Sequence, residues 1–165
     1  MGWTATTIPE EYGGLGMSHL ELVVIAEELG RACAPVPFSS SVYLAAEAIM
    51  ALGTEAQKQA WLPKLADGSA IGCFALGEAG GAVTPDQIST SIADGVINGT
   101  KVPVADGGIA DVAIVVCKSD GGDGATLALV DLGQDAVAKD NVQMIDFSRG
   151  HSELTFNGAC AAVSY

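Results

Sequence analysis

The chain has 165 residues, 49% of them apolar and 16% charged, with 20 acidic against 7 basic side chains for a formal charge of −13. That balance repels phosphate backbones and argues against a nucleic-acid partner, while the length suffices for one domain or two small ones. No apolar run is long enough to span a bilayer and the start has no basic segment followed by an apolar one, so the expectation is a cytoplasmic protein without a membrane span or leader.

The first half reads as helices. Ser18-His19-Leu20-Glu21 is a capping box. Behind it Leu20, Leu22, Val23, Val24, Ile25, Ala26 and Leu29 leave a narrow polar stripe at Glu21, Glu27, Glu28 and Arg31, which predicts a helix buried on most of its circumference. Pro35 and Pro37 break the chain, and Ser39-Ser40-Ser41 can cap a second helix that ends near Gly53. Thr54-Glu55-Ala56-Gln57 opens a third helix through Trp61, in a core-packing role, toward Asp67-Gly68; Pro63 is expected to kink it or end it early.

From about Ile71 the period changes. Gln87 to Ile92 alternates strictly, with Ile88, Thr90 and Ile92 on one face, and Asp94-Gly95 follows as a hairpin turn. Val112 to Val116 is a continuous apolar run, the pattern of a strand buried on both sides. Asp120 to Gly124 reads as a turn into a strand from Thr126 to Leu132, and Glu153 to Phe156 and Ala159 to Val163 as closing strands. Helices followed by strands predict an α+β fold: a helical part over 1–70, then an antiparallel β-barrel or sandwich over 71–165.

Candidate chemistry outside that frame is sparse. Cys33, Cys73, Cys117 and Cys160 match no zinc or redox spacing and are expected to be buried free thiols in a reducing compartment. His19 and His151 have no companions at ligand spacing, so no metal site is assigned. Glu10-Glu11 and Glu27-Glu28 read as solvated surface. Ser148, His151 and Ser152 lack an orienting acid and an oxyanion hole. Gly13-Gly14-Leu15-Gly16 and Gly121-Gly122-Asp123-Gly124 fit neither phosphate-binding spacing and read as turns.

Two sets of segments carry a family pattern. Pro9-Glu10-Glu11-Tyr12-Gly13-Gly14-Leu15-Gly16, Ala26-Glu27-Glu28-Leu29-Gly30, and Gly53-Thr54 with Trp61 to Gly68 resemble the N-terminal helical domain of acyl-CoA dehydrogenases. Asn98-Gly99-Thr100-Lys101, Ala110-Asp111 and Leu154-Thr155-Phe156-Asn157-Gly158 resemble the family's middle β-domain. The match runs from about Ile8 to Gly158, and the order and spacing of the segments make it specific.

The resemblance implies FAD as cofactor and an acyl-CoA thioester as substrate, in α,β-dehydrogenation by an oxidoreductase of lipid metabolism. The family's flavin-contacting segment starts with an aromatic residue and reads Thr-Glu-Pro, two variable positions, then Gly-Ser-Asp. Phe74-Ala75-Leu76 and Glu78 fit it, whereas Gly77 stands for the threonine, Ala79 for the proline and Ala82-Val83-Thr84 for the last three. The family's Trp-Ile-Ser/Thr strand is Pro103-Val104-Ala105 here. The resemblance therefore implies cofactor contacts at Phe74, Leu76, Gly77, Glu78, Val104 and Ala105, made without the usual hydroxyls and stacking ring. Three accounts stand open: the flavin is held by backbone amides, or the chain is a divergent subunit paired with a flavin-competent homologue, or the two stretches align differently.

The family's catalytic base is a carboxylate on a C-terminal helical domain, within reach of the proton it removes. The sequence is expected to stop before that domain and to begin after the helices that usually precede Pro9, so no catalytic residue is assigned. The implied function is that of a fragment or subunit of an acyl-CoA dehydrogenase-like flavoprotein, not catalytic on its own and part of a homo- or hetero-oligomer. The alternative is a flavin-poor structural subunit beside an active homologue. A small-ligand β-barrel unrelated to flavin is a third class, against which the capping-box helices count.

Overall fold

Short helices with one apolar edge need a surface to cover, and the strands provide it. The computed structural model describes residues 2–81, 84–119 and 124–164, with side chains through residue 162. Residues 120–123 of the expected turn and residues 82–83 lie outside the described residues.

Two single-turn 3₁₀ helices, Trp3–Ala5 and Glu10–Tyr12, bracket the fully buried Ile8. Gly14 has to be glycine, because a Cβ there would lie 1.8 Å from the Ile8 carbonyl oxygen. Helix α1 (His19–Arg31) starts at the expected capping box. Its burial corrects the sequence expectation. Only Leu22 is fully buried, with Ile25 and Leu29 partly so against Phe38, Val42 and Tyr43, while Leu20 is 73% and Val23 and Val24 are each 59% exposed. The helix lies at the edge of the fold, so apolar residues on its other sides meet no described element.

A π-helical segment, Ser39–Ala46, runs into α2 (Glu47–Leu52). The expected serine cap is absent because Ser39, Ser40 and Ser41 lie inside the wide turn, and their hydroxyls serve partners elsewhere in the fold. Ser41 Oγ accepts from the Gly72 amide at 3.1 Å. Helix α3 (Glu55–Asp67) opens at the Thr54–Gln57 capping box and closes on left-handed Gly68. Pro63 does not end it early, because Leu62, Leu65 and Ala66 are buried on the core and hold the last turn despite the missing amide.

The strands are β1 (Gly72–Ala75), β2 (Ser91–Ala93), β3 (Val96–Ala105), β4 (Val112–Ser119), β5 (Ala125–Asp131), β6 (Val137–Val142) and β7 (His151–Ser164). Pairing runs β4–β2–β3–β7–β5 and returns from β5 to β4, which closes a barrel; β1 adds to β4 and β6 to β7. The expected α+β architecture is present, with most pairings antiparallel and two, β1–β4 and β2–β4, parallel. Asp94 and Gly95 both take positive φ in the β2–β3 turn, as the hairpin requires. The two expected closing strands are one strand, kinked where Gly158 at φ 77° adds a residue opposite Ile97 and Asn98.

Strand β4 explains its own continuous apolar run. Ala113, Val115 and Cys117 face the barrel interior with Ile97, Leu154 and Phe156. Val112 and Ile114 face outward beneath Ile8, Ile49, Leu62 and Leu65. Cys73 and Cys117 are buried free thiols as expected, and burial pushes their pKa values up to about 12 and about 11. Cys33 and Cys160 are exposed, against expectation: Cys33 follows the α1 C-terminus at φ 45°, and Cys160 points outward from β7. All four lack a disulfide.

Candidate functional site

Beyond β1 the chain turns alongside β3, and the Val102 amide donates to the Gly77 carbonyl at 2.9 Å. A buried cation fixes this junction. Lys101 is 0% exposed, and its Nζ donates to the Leu76 carbonyl at 3.0 Å and to Glu78 Oε1 at 2.8 Å. The Glu78 carboxylate also accepts from the Ser89 amide at 2.8 Å, the Ser89 hydroxyl and the Thr90 amide at 2.9 Å. Burial alone would raise the Glu78 pKa; the Lys101 ammonium, the Ser89 hydroxyl and the two amides outweigh it and hold the carboxyl well below the usual range. Gly99 passes so close that a Cβ would lie 2.7 Å from Thr90 Oγ1.

The far end of β3 is tied by a second polar cluster. Asp106, at φ 59°, accepts from Ser40 Oγ at 2.7 Å and pairs with the Arg149 guanidinium. Arg149 also donates to Ser39 Oγ and Ser40 Oγ, each at 2.7 Å, so it joins the π-helical segment to the loop before β7. The Asp106 amide donates to the Gly150 carbonyl at 2.9 Å. A cleft of about 340 Å³ lies against Asp106, Gly108, Asn141 and Arg149.

The structure brings Leu76, Gly77 and Glu78 beside Val102. Phe74 is half-buried and packs toward the helical layer, the Val104 side chain is in the barrel core, and Ala105 is half-buried next to the Asp106 cluster. Along these two segments the residues not buried are Leu76, Gly77, Val102, Pro103 and Ala105. None carries a hydroxyl or an aromatic ring. The two segments therefore offer a flavin main-chain contacts only, and they lack a side-chain grip on it.

Lys101 entered the sequence reading only within Asn98-Gly99-Thr100-Lys101, Ser40 only as part of a helix cap, and Asp106 and Arg149 carried no signal, since their partners lie 23 or more residues away. Ser148, His151 and Ser152 form no triad: His151 Nδ1 sits 3.3 Å from the Arg149 carbonyl, and Ser152 is buried. Glu10, Glu11, Glu27 and Glu28 are exposed. Among the described residues no His/Cys/Asp/Glu group could hold a metal, and no helix is long and apolar enough to cross a membrane.

Capping-box helices laid on a closed barrel, with residues 76–78 pinned to β3, define a helical layer over a β-barrel. Residues 1–69 match the family model described as acyl-CoA dehydrogenase, N-terminal domain. The chain is 36% identical over 128 residues to the mitochondrial short-chain specific acyl-CoA dehydrogenase of Homo sapiens, covering 73% of this chain and 31% of that protein. It is 35% identical over 136 residues to the isovaleryl-CoA dehydrogenase of Arabidopsis thaliana, covering 77% and 33%. The butyryl-CoA dehydrogenase of Megasphaera elsdenii superposes with a TM-score of 0.85 at 26% identity, over 99% of this chain and 48% of that one. The ChsE4-ChsE5 complex of Mycobacterium tuberculosis superposes with a TM-score of 0.83 at 29% identity, over 99% and 45%. The chain spans about a third of the length of these curated relatives and just under half of these structures. It belongs to the acyl-CoA dehydrogenase family, over that family's N-terminal and middle domains.

Proposed function

We propose that this chain forms the helical (1–70) and middle β (71–165) parts of an FAD-dependent acyl-CoA dehydrogenase-like oxidoreductase. It places a flavin ring against residues 76–78 and 104–105, with Phe74 supporting the first segment from behind. The observation that carries this reading is the pinning of Leu76, Gly77 and Glu78 to β3 by Lys101 and the Val102 amide. Bound FAD would supply the hydride acceptor for α,β-dehydrogenation of an acyl-CoA thioester. The chain's own residues offer apolar side chains and main-chain polarity there. Glu78 is not a base for this chemistry, because its oxygens are taken by Lys101, Ser89 and Thr90. The α-proton has to be removed by a group outside the described residues or on another subunit, and the chain alone is not catalytic.

One observation favours a second reading, a flavin-poor subunit that stabilises an active homologue: Gly77, Pro103 and Ala105 replace every side-chain donor and the ring of the family pattern. In both readings the chain works within a homo- or hetero-oligomer, for which the exposed Leu20, Val23 and Val24 of α1 offer a contact face. Cytoplasmic location belongs to the same proposal and agrees with four unpaired cysteines. An absorption spectrum of the purified chain titrated with FAD separates the readings. Saturable uptake supports the first, and none at any FAD concentration supports the second.

A further inference from the structure

A flavin held by main-chain contacts alone depends on how well that main chain is fixed, because nothing on a side chain compensates for a displaced amide. Lys101 is the residue that fixes it here. The lysine is wholly enclosed, projecting from β3 opposite Leu154, itself wholly buried. Its ammonium reaches both ends of one tripeptide: the Leu76 carbonyl at 3.0 Å and the Glu78 carboxylate at 2.8 Å. Between them the Gly77 carbonyl takes the Val102 amide from the residue next to Lys101. Glu78 passes the constraint on to Ser89 and Thr90, just ahead of β2. One buried cation thereby ties β3, the tripeptide and the approach to β2 into a single unit.

We propose that Lys101 is a positioning residue for the cofactor, acting through Leu76 and Glu78 to set the main chain of residues 76–78 as the face a flavin ring rests on. The inference rests on the flavin reading above. A lysine needed only for folding could be replaced by any arrangement that leaves no buried charge unpaired. A positioning lysine could not, because the tie to the Leu76 carbonyl would be lost.

The full chain and two variants test this. Lys101→Met removes both bonds and strands the Glu78 carboxylate. Lys101→Met combined with Glu78→Gln leaves no charge behind and keeps one carboxamide oxygen, enough for Ser89 or for the Thr90 amide. The readouts are thermal melting, amide hydrogen exchange over residues 76–78 and 89–90, and FAD affinity from quenching of flavin fluorescence. The double variant is expected to recover most of the melting temperature lost in the single one. It is also expected to exchange the 76–78 amides about tenfold faster than wild type and to bind FAD about tenfold more weakly. Wild-type exchange and affinity in the double variant would overturn the proposal. If the wild-type chain takes up no FAD, the flavin reading fails. The exchange arm then decides alone: faster exchange at 76–78 upholds Lys101 as the pin, and unchanged exchange overturns it.

Discussion

Lys101 Nζ and Glu78 Oε1 lie 2.8 Å apart, with the lysine fully buried and the glutamate 6% exposed. Two opposite charges thus meet where water does not reach. Desolvating such a pair costs several kcal/mol per ion, and the attraction offsets this only when further hydrogen bonds complete both groups. The Leu76 carbonyl, the Ser89 amide and hydroxyl and the Thr90 amide complete them here.

Removing one partner strands the other. Lys101→Met is therefore expected to lower stability by about 3–5 kcal/mol. Glu78→Gln should also destabilise, since it leaves the buried Lys101 ammonium without its counter-charge and one oxygen in place of the two that now accept. Urea unfolding checks both; an unchanged midpoint for Lys101→Met would show that the pair is not the enclosed one described.

The same pair sets an acid limit. The Glu78 pKa is lowered in the fold from the ordinary 4.5, so the stability this confers is fully present above that value and is lost as pH falls from there toward the depressed folded value. Melting temperature should drop below about pH 4.5, and drop less steeply in Glu78→Gln. Parallel pH profiles for the two proteins would refute the assignment.

Gly72 carries a different constraint. A Cβ there would lie 2.4 Å from the Ala45 Cβ of the π-helical segment, and Ser41 Oγ already takes the Gly72 amide. Neither contact is the tip of a flexible side chain. Gly72→Ala should force the segment away from β1 at about 1–3 kcal/mol. Thermal melting of the variant, with Gly124→Ala as a control in open space, decides it.

Much of the fold was legible because local signals agreed with tertiary needs. Both capping boxes, the Asp94-Gly95 hairpin and the doubly buried β4 follow from residue type and period. Family-pattern residues also turn out to do turn and strand work: the Asp111 carboxylate accepts from the Ile71 amide, and Asn98 Oδ1 from the Gly158 amide. What failed depended on neighbours. The apolar sides of α1 look like core until one knows that no described element lies over Leu20 or Val24. The serines at 39–41 resemble a cap until Asp106 and Arg149 arrive from 66 and 110 residues away. Lys101 is the extreme case, since a lysine in a strand reads as surface and nothing local announces Glu78.

The α1 surface leads to a prediction about association. Leu20, Val23 and Val24 sit at i, i+3 and i+4 and are each more than half exposed, which forms an apolar stripe of the kind that helices bury against a partner. The chain should self-associate as concentration rises, and Leu20→Glu with Val24→Lys should return it toward monomer. Sedimentation velocity of both proteins is the test. A wild type that stays monomeric at high concentration would count against a contact role for this face.

The last prediction concerns residues 76–78 and 102–105. A hydrogen bond to a ligand contributes about 0.5–1.5 kcal/mol net, and an aromatic stack about as much again. The positions at Gly77, Pro103 and Ala105 forgo two such bonds and one such stack, which together weaken a flavin's hold by about a hundredfold or more at 1.4 kcal/mol per factor of ten. The chain should therefore purify colourless and take up added FAD only weakly. Restoring one donor should recover part of the loss, and the geometry says where. At Gly77 a Cβ would press on the Val102 carbonyl oxygen at 3.3 Å, whereas Ala105 already has a Cβ and is half-buried on the accessible side. Ala105→Thr should tighten FAD binding by up to about tenfold, read by fluorescence quenching, while Ala105→Val, of the same shape without the hydroxyl, should not. Equal affinities for the two variants would mean that no flavin atom lies within reach of residue 105. A wild-type protein that is yellow after dialysis, with near-stoichiometric FAD, would mean that main-chain contacts suffice and that the missing side chains were never the limiting part of the site.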